Sequence, residues 1–154
     1  MVVRIDYNLI GRGWSECVLQ VDDKKIVLIA SYLSDALYNL LYATIRIVKD
    51  LNCGTVKFQE EPGEYRWILT RLTKDRLNIR ILWFGNSFST QIDEEGKVIF
   101  EAECRLRTFA GAVLSASQKL LEEYGMEGYK EEWVNHEFPI HLQLRLKKAL
   151  KNKH

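Results

Sequence analysis

Apolar and polar residues alternate from the start of the chain. Val3, Ile5, Tyr7 and Leu9 are separated by Arg4, Asp6 and Asn8, the two-residue period of a strand with one dry and one wet face. Gly11-Arg12-Gly13 reads as a turn, after which Ser15, Cys17, Leu19 and Val21 alternate with Trp14, Glu16, Val18 and Gln20 to predict a second strand. Asp22-Asp23 marks a tight hairpin. Lys25 to Ala30 returns as a nearly continuous apolar run, the pattern of a strand covered on both faces.

The period then changes. From Ser34 to Leu51, Leu37, Leu40, Leu41, Thr44, Ile45, Val48 and Leu51 recur at helical spacing and predict a central helix. Ser34 is placed to cap it, Asp35 sits at the positive end of its dipole, and Asn52-Cys53-Gly54 ends it. Strands follow from Thr55 to Glu60 and, after the Glu61-Pro62-Gly63-Glu64 turn, over Tyr65, Trp67 and Leu69. Thr73 to Arg76 turns the chain into Leu77, Ile79, Ile81 and Trp83. Phe88 to Ile92 and Lys97 to Leu106 read as a last hairpin around Asp93-Glu94-Glu95-Gly96, with Val98, Phe100, Ala102, Cys104 and Leu106 facing inward.

Thr108 is expected to cap a second long helix, with Phe109, Ala110, Val113, Leu114, Ser117, Leu120, Leu121 and Tyr124 as its apolar stripe and Gly125 as its terminator. Residues 126 to 138 read as a short helix or a compact connection. Pro139 then suits the first turn of a terminal helix, whose seam is Leu142, Leu146, Ala149 and Leu150. Ile140, Leu142, Leu144 and Leu146 also alternate as a strand would, and Pro139 with the lysine-rich end decides for helix. Antiparallel hairpins interrupted by one helix and followed by others predict an α+β fold. The expected form is a curved, mainly antiparallel sheet of about seven or eight strands, with two long helices on one face and a short C-terminal helix.

Composition narrows the function. A chain of 154 residues with 47% apolar residues is expected to form a single domain over residues 1–154 around one core. The net charge of +1, from 22 basic and 21 acidic residues, selects no partner class. Apolar runs are too short to cross a bilayer, and the first residues lack the basic-then-apolar pattern of a leader. Cys17, Cys53 and Cys104 have no CxxC spacing, so a reduced cytoplasmic protein without disulfides or zinc is expected.

Candidate chemistry concentrates in Tyr129 to His141, YKEEWVNHEFPIH. His136 and His141 stand five apart across Pro139, unlike the four-residue spacing of helical zinc pairs, so no metal or cofactor is expected. His136-Glu137 has the composition of an acid–base pair. A GxSxG elbow and a phosphate loop are absent. Arg145, Lys147, Lys148, Lys151 and Lys153 make the end basic, which the helix dipole accounts for better than nucleic-acid binding.

Trp14, Val18, Ile68, Leu82, Phe84 and Ile99 fall on the notionally wet sheet face. That is more apolar surface than water favours, so a chain segment, a second subunit or a partner protein is expected to cover it. Tyr38 and Tyr42 widen the apolar side of the central helix in the same sense. In size, element order and the EEWVNHEFP segment before a terminal helix, the chain resembles small bacterial cytoplasmic α+β domains, some of which are immunity proteins that neutralise secreted toxins. The resemblance implies a protein partner and no catalysis. Two readings result: a non-enzymatic interaction domain, immunity-like or homodimeric, with Trp14 and Phe84 as contacts; or a binder or hydrolase of small anionic ligands using Arg66, Arg80 and His136.

Overall fold

The computed structural model describes residues 1–86 and 91–152. Its elements run β1 (Val3–Gly11), β2 (Trp14–Val21), β3 (Lys24–Ser31), α1 (Ala36–Val48), β4 (Cys53–Gln59), β5 (Glu64–Thr73), β6 (Arg76–Phe84), a 3-10 turn (Asp93–Glu95), β7 (Lys97–Arg105), α2 (Leu106–Glu132) and α3 (Ile140–Asn152). The class is α+β and the strands are antiparallel throughout. The single expected sheet is instead two, a three-stranded meander β1-β2-β3 and a four-stranded meander β4-β5-β6-β7. The physical reason is α1, which carries the chain away after β3 and returns it so that β4 pairs with β5 alone.

One core joins both sheets and all three helices. Tyr7, Leu19 and Leu28 from the first sheet, Trp67, Ile79 and Cys104 from the second, and Leu40, Phe109 and Leu146 from the helices are all buried in it. The sheets approach each other where β3 nears β4 and β7, and Lys24 Nζ donates to the Glu101 carbonyl at 2.8 Å across that seam. Each sheet is followed by a helix, giving two meander–helix units with α3 laid against both α1 and α2.

Several ends differ from the expected ones. Ser34 does not cap α1: its hydroxyl accepts the Gln59 N–H at 3.0 Å, and Asp35 takes the N-cap position. The helix stops at Val48, with Asp50 rather than Asn52 or Gly54 in the left-handed conformation at φ 86°. The start of α2 falls at Leu106, not Thr108, because Asp75 in the β5–β6 turn receives both the Leu106 and Arg107 N–H groups at 3.1 Å. Gly125 (φ 68°, ψ 177°) is non-helical and divides α2 where the sequence put its terminator, and the segment after it takes the expected short-helix form as far as Glu132. Of the two helices expected to be long, α1 has 13 residues, as does α3, while α2 spans 27 residues in two pieces divided at Gly125.

On β7, Val98 was expected inside with Phe100. A register shift opposite Ile81 and Leu82 pairs Ile81 with Phe100 but Leu82 with Val98, a bulge that turns Val98 out to 49% exposure. The strand expected over Phe88 to Ile92 lies mostly outside the described residues; Gln91 and Ile92 belong to no strand.

Candidate functional site

Five residues were singled out by the sequence, and the fold distributes them over three places. Arg66 and Phe84 lie on the outer face of the second sheet, where Ile68, Leu82 and Phe84 form a small separate cluster. The chain covers this cluster itself. Residues 91–96 fold back over it, so closely that a Cβ on Gly96 would lie 2.6 Å from the Phe84 ring. Phe84 is therefore only 3% exposed, and of the covers expected for this apolar face a segment of the chain itself supplies it here. Arg66 locks this arrangement. Its guanidinium stands 4.1 Å from the Phe84 ring centre, bonds Glu64 and Asp93 at 2.8 Å each, and donates to the Gln91 carbonyl at 2.9 Å. Burial alone would lower the Arg66 pKa, but the bonds to Asp93 and Glu64 outweigh it and hold the cation more firmly than in water. Nε and Nη1 of the fork that could clamp an anion are thus taken by the protein's own groups.

Arg80 shares this outer face, opposite Ile68 on one side and Glu101 on the other, and is partly exposed. His136 belongs elsewhere. It follows α2 in the helical layer, where Nε2 donates to the Tyr32 carbonyl at 2.8 Å and Nδ1 lies 3.7 Å from Asp35 Oδ2. The preceding Val134 and Asn135 both have positive φ, at 50° and 66°, a conformation that is strained for a β-branched residue. Buried Trp133 and the His136 bond hold it in place. Arg66 and His136 thus sit on opposite sides of the second sheet and share no cleft.

Trp14 lies on the outer face of the first sheet, 36% exposed. Its neighbours along the ladder are Ser31 and Gly11, and the same face carries exposed Ile10 and Val27 with half-buried Val18 and Ile29. The chain leaves this corner through Tyr32 and Leu33, both exposed, into α1. There Tyr38 and Tyr42 stack with ring centres 6.1 Å apart, and Arg46 donates to the Tyr42 hydroxyl at 2.9 Å. Exposed aromatic and aliphatic side chains therefore run from Trp14 through Tyr32 to Tyr42. Sequence reading placed Trp14 by its face; it favoured the core for Tyr38 and Tyr42, which the structure exposes, and missed Ile10, Val27, Tyr32 and Leu33 because nothing local distinguishes them from core residues.

A second concavity, of about 350 Å³, lies between the end of α1, the β5–β6 turn and the start of α2. Its cations are Arg71, Lys74, Arg105 and Arg107. Most are engaged: Arg71 bonds the Ile47 and Lys74 carbonyls, Arg105 pairs with Asp75 at 3.1 Å, and Arg107 donates to the Leu150 carbonyl. They brace helix ends. Among the described residues no group of three His, Cys, Asp or Glu is arranged to hold a metal ion, and no helix is long and apolar enough to cross a membrane.

No protein-family model matches the sequence, and no curated relative matches it. A solved structure does match in shape: a chain of the CdiA-CT/CdiI toxin and immunity complex from Enterobacter cloacae. The two share 12% identity over 76% of this chain and 99% of that one, with a TM-score of 0.51. The α+β fold is shared with a chain of that complex. At that identity the likeness concerns the path of the backbone and assigns no residue a role.

Proposed function

We propose that this chain is a non-enzymatic protein-interaction domain that works as an immunity-like binder. The observation that carries the reading is the uncovered apolar surface around Trp14, on a fold shared with a chain of a toxin and immunity complex. Large aromatic side chains exposed together, rimmed by polar residues, are what a partner surface buries most profitably. In this reading Trp14 touches the partner and Arg80 supplies a polar contact on the second sheet. Phe84 and Arg66 act indirectly by fixing residues 91–96, and His136 fixes the Tyr32 corner. The cytoplasm suits the three cysteines, all of which are free thiols. Self-association through the same face is the other form the reading takes.

Native mass spectrometry of the protein isolated gently from its host reads both forms directly. The expected result is a heteromeric complex or a clean dimer, lost on Trp14→Ser while the circular dichroism of the variant stays that of the parent. A monomer in both proteins, or association that Trp14→Ser leaves intact, would count against the proposal.

A further inference from the structure

We infer that β4 is a receiving edge: an extended, acidic segment of a partner protein adds to it as a fifth strand of the second sheet. The inference rests on the protein-binding reading and names a surface distinct from Trp14. Strand order puts β4 at the margin of its sheet, hydrogen-bonded to β5 alone. The ladder fixes which groups face outward. Arg71 N–H donates to the Asn52 carbonyl and Glu60 N–H to the Gly63 carbonyl, so the even-numbered residues between them bond β5 and the odd-numbered ones point to the open side. At the far end those groups are used, since Gln59 N–H donates to Ser34 and the Lys57 carbonyl accepts from Asn39. At the near end, Cys53 and Thr55 are exposed, and among the described residues no bond engages their backbone N–H and C=O groups. Neither a proline nor a bulge blunts that stretch, as natural sheets usually arrange at an exposed edge.

Beside this edge runs a groove of about 270 Å³ whose other wall is Tyr42, Arg46 and Leu51. Its floor is filled, with Ile47 and Ala43 side chains 3.5 and 3.6 Å from where a Gly54 Cβ would lie. A strand can therefore seat without sinking. The charge around it is one-sided. Arg46 lines it with no acid among the lining residues, exposed Lys49 and Lys57 flank it along α1's end and β4, and Asp50 faces Arg71 at 3.5 Å. Pairing with a second copy would set these cations against themselves, whereas an acidic segment neutralises them. A phosphodiester chain would meet the cations and the stacked tyrosines, but it lacks the alternating N–H and C=O that Cys53 and Thr55 present. A peptide strand matches both.

Cys53 is a built-in reporter, because the other two thiols are buried. The test uses the full chain with three fluorescent probes: a decapeptide alternating Asp and Val, its Lys–Val counterpart, and a single-stranded oligothymidylate. Anisotropy gives affinity and maleimide labelling gives the accessibility of Cys53. The acidic peptide is expected to bind and to slow labelling about tenfold, with Arg46→Glu and Thr55→Pro each weakening it about tenfold. Arg46→Glu, on an exposed helix face, serves if the proline variant does not fold. Absence of acidic-peptide binding, equal binding of the basic peptide, preferential binding of the oligothymidylate, or unchanged Cys53 labelling in the complex would overturn the inference. A partner that Arg46→Glu still binds with Cys53 open, and that Trp14→Ser loses, would overturn it too while leaving the protein-binding reading in place.

Discussion

Replacing Arg66 by Ala separates a structural brace from an anion clamp. Its side chain and that of Glu64 are each only 7% exposed, 2.8 Å apart. Truncating one member of such a pair leaves the other charge buried alone, a loss of about 3–5 kcal/mol in comparable cases. The bond to Asp93, which is 41% exposed, adds roughly 0.5 kcal/mol at most. The stack on Phe84 adds about 1 kcal/mol of the same sign, and releasing it loosens residues 91–96 over the outer cluster. Against a total stability on the order of 5–15 kcal/mol, this is a large fraction. With a urea slope of about 2 kcal/mol per molar, the unfolding midpoint should fall by roughly 2–3 M. The double variant Glu64→Gln/Arg66→Met should regain most of the loss, because a matched neutral pair strands no charge. A midpoint shift below about 0.3 M, or single effects that simply add, would refute the brace. A clamp awaiting a ligand would instead leave the free protein as stable or more so when removed.

Two further outcomes follow from buried titratable groups. Burial raises the Asp35 pKa above its usual range, and His136 pulls it only part of the way back. The folded state therefore holds the proton more tightly than the unfolded chain, whose aspartates titrate near 3.9. The sign is that acid favours the fold: the Asp35 contribution is present below the unfolded pKa and is lost as pH rises through the folded one. Asp35→Asn should gain stability relative to the parent as pH rises from 3 to 7, followed by urea unfolding; a difference that does not vary with pH would contradict this. Burial also pushes Cys104 up to about 11 and Cys17 higher still, so intact-mass counting after maleimide treatment at pH 8 should find one tag on the native protein and three after denaturation.

Elements with their own period were legible in the sequence. The alternation over Val3 to Leu9 placed Ile5, Tyr7 and Leu9 inside, the helical stripe placed Leu37, Leu40 and Leu41 inside, and Pro139 resolved the terminal segment as helix. Pairing between distant strands was not legible, because an amphipathic strand satisfies the same pattern in one sheet or in two. Val98 shows a related limit: a bulge reverses a face without leaving a residue signature. Phe84 and Arg66 failed as surface residues for a non-local reason, since what covers them is supplied by residues 91–96. Trp14 was read by its face alone, and among the described residues it stands 36% exposed on the outer side of the first sheet. The open groups of Cys53 and Thr55 depend on ladder parity and on Ser34 and Asn39 stopping short of them, which no local pattern encodes.

The kink at Gly125 decides when the molecule can finish folding. Beyond it the Glu132 carbonyl accepts the Gly13 N–H at 2.7 Å, and just before it Tyr124 donates to the Leu9 carbonyl at 3.1 Å. Tyr124 and Leu9 are 115 residues apart, so during synthesis at roughly 5–20 residues per second the first sheet waits on the order of ten seconds for the segment that closes its edge. Throughout that interval these two bonds to the first hairpin are unmade. A nascent chain in this condition needs either slow neighbours or a chaperone, and its yield in a cell will be governed by that delay as much as by the stability of the finished fold.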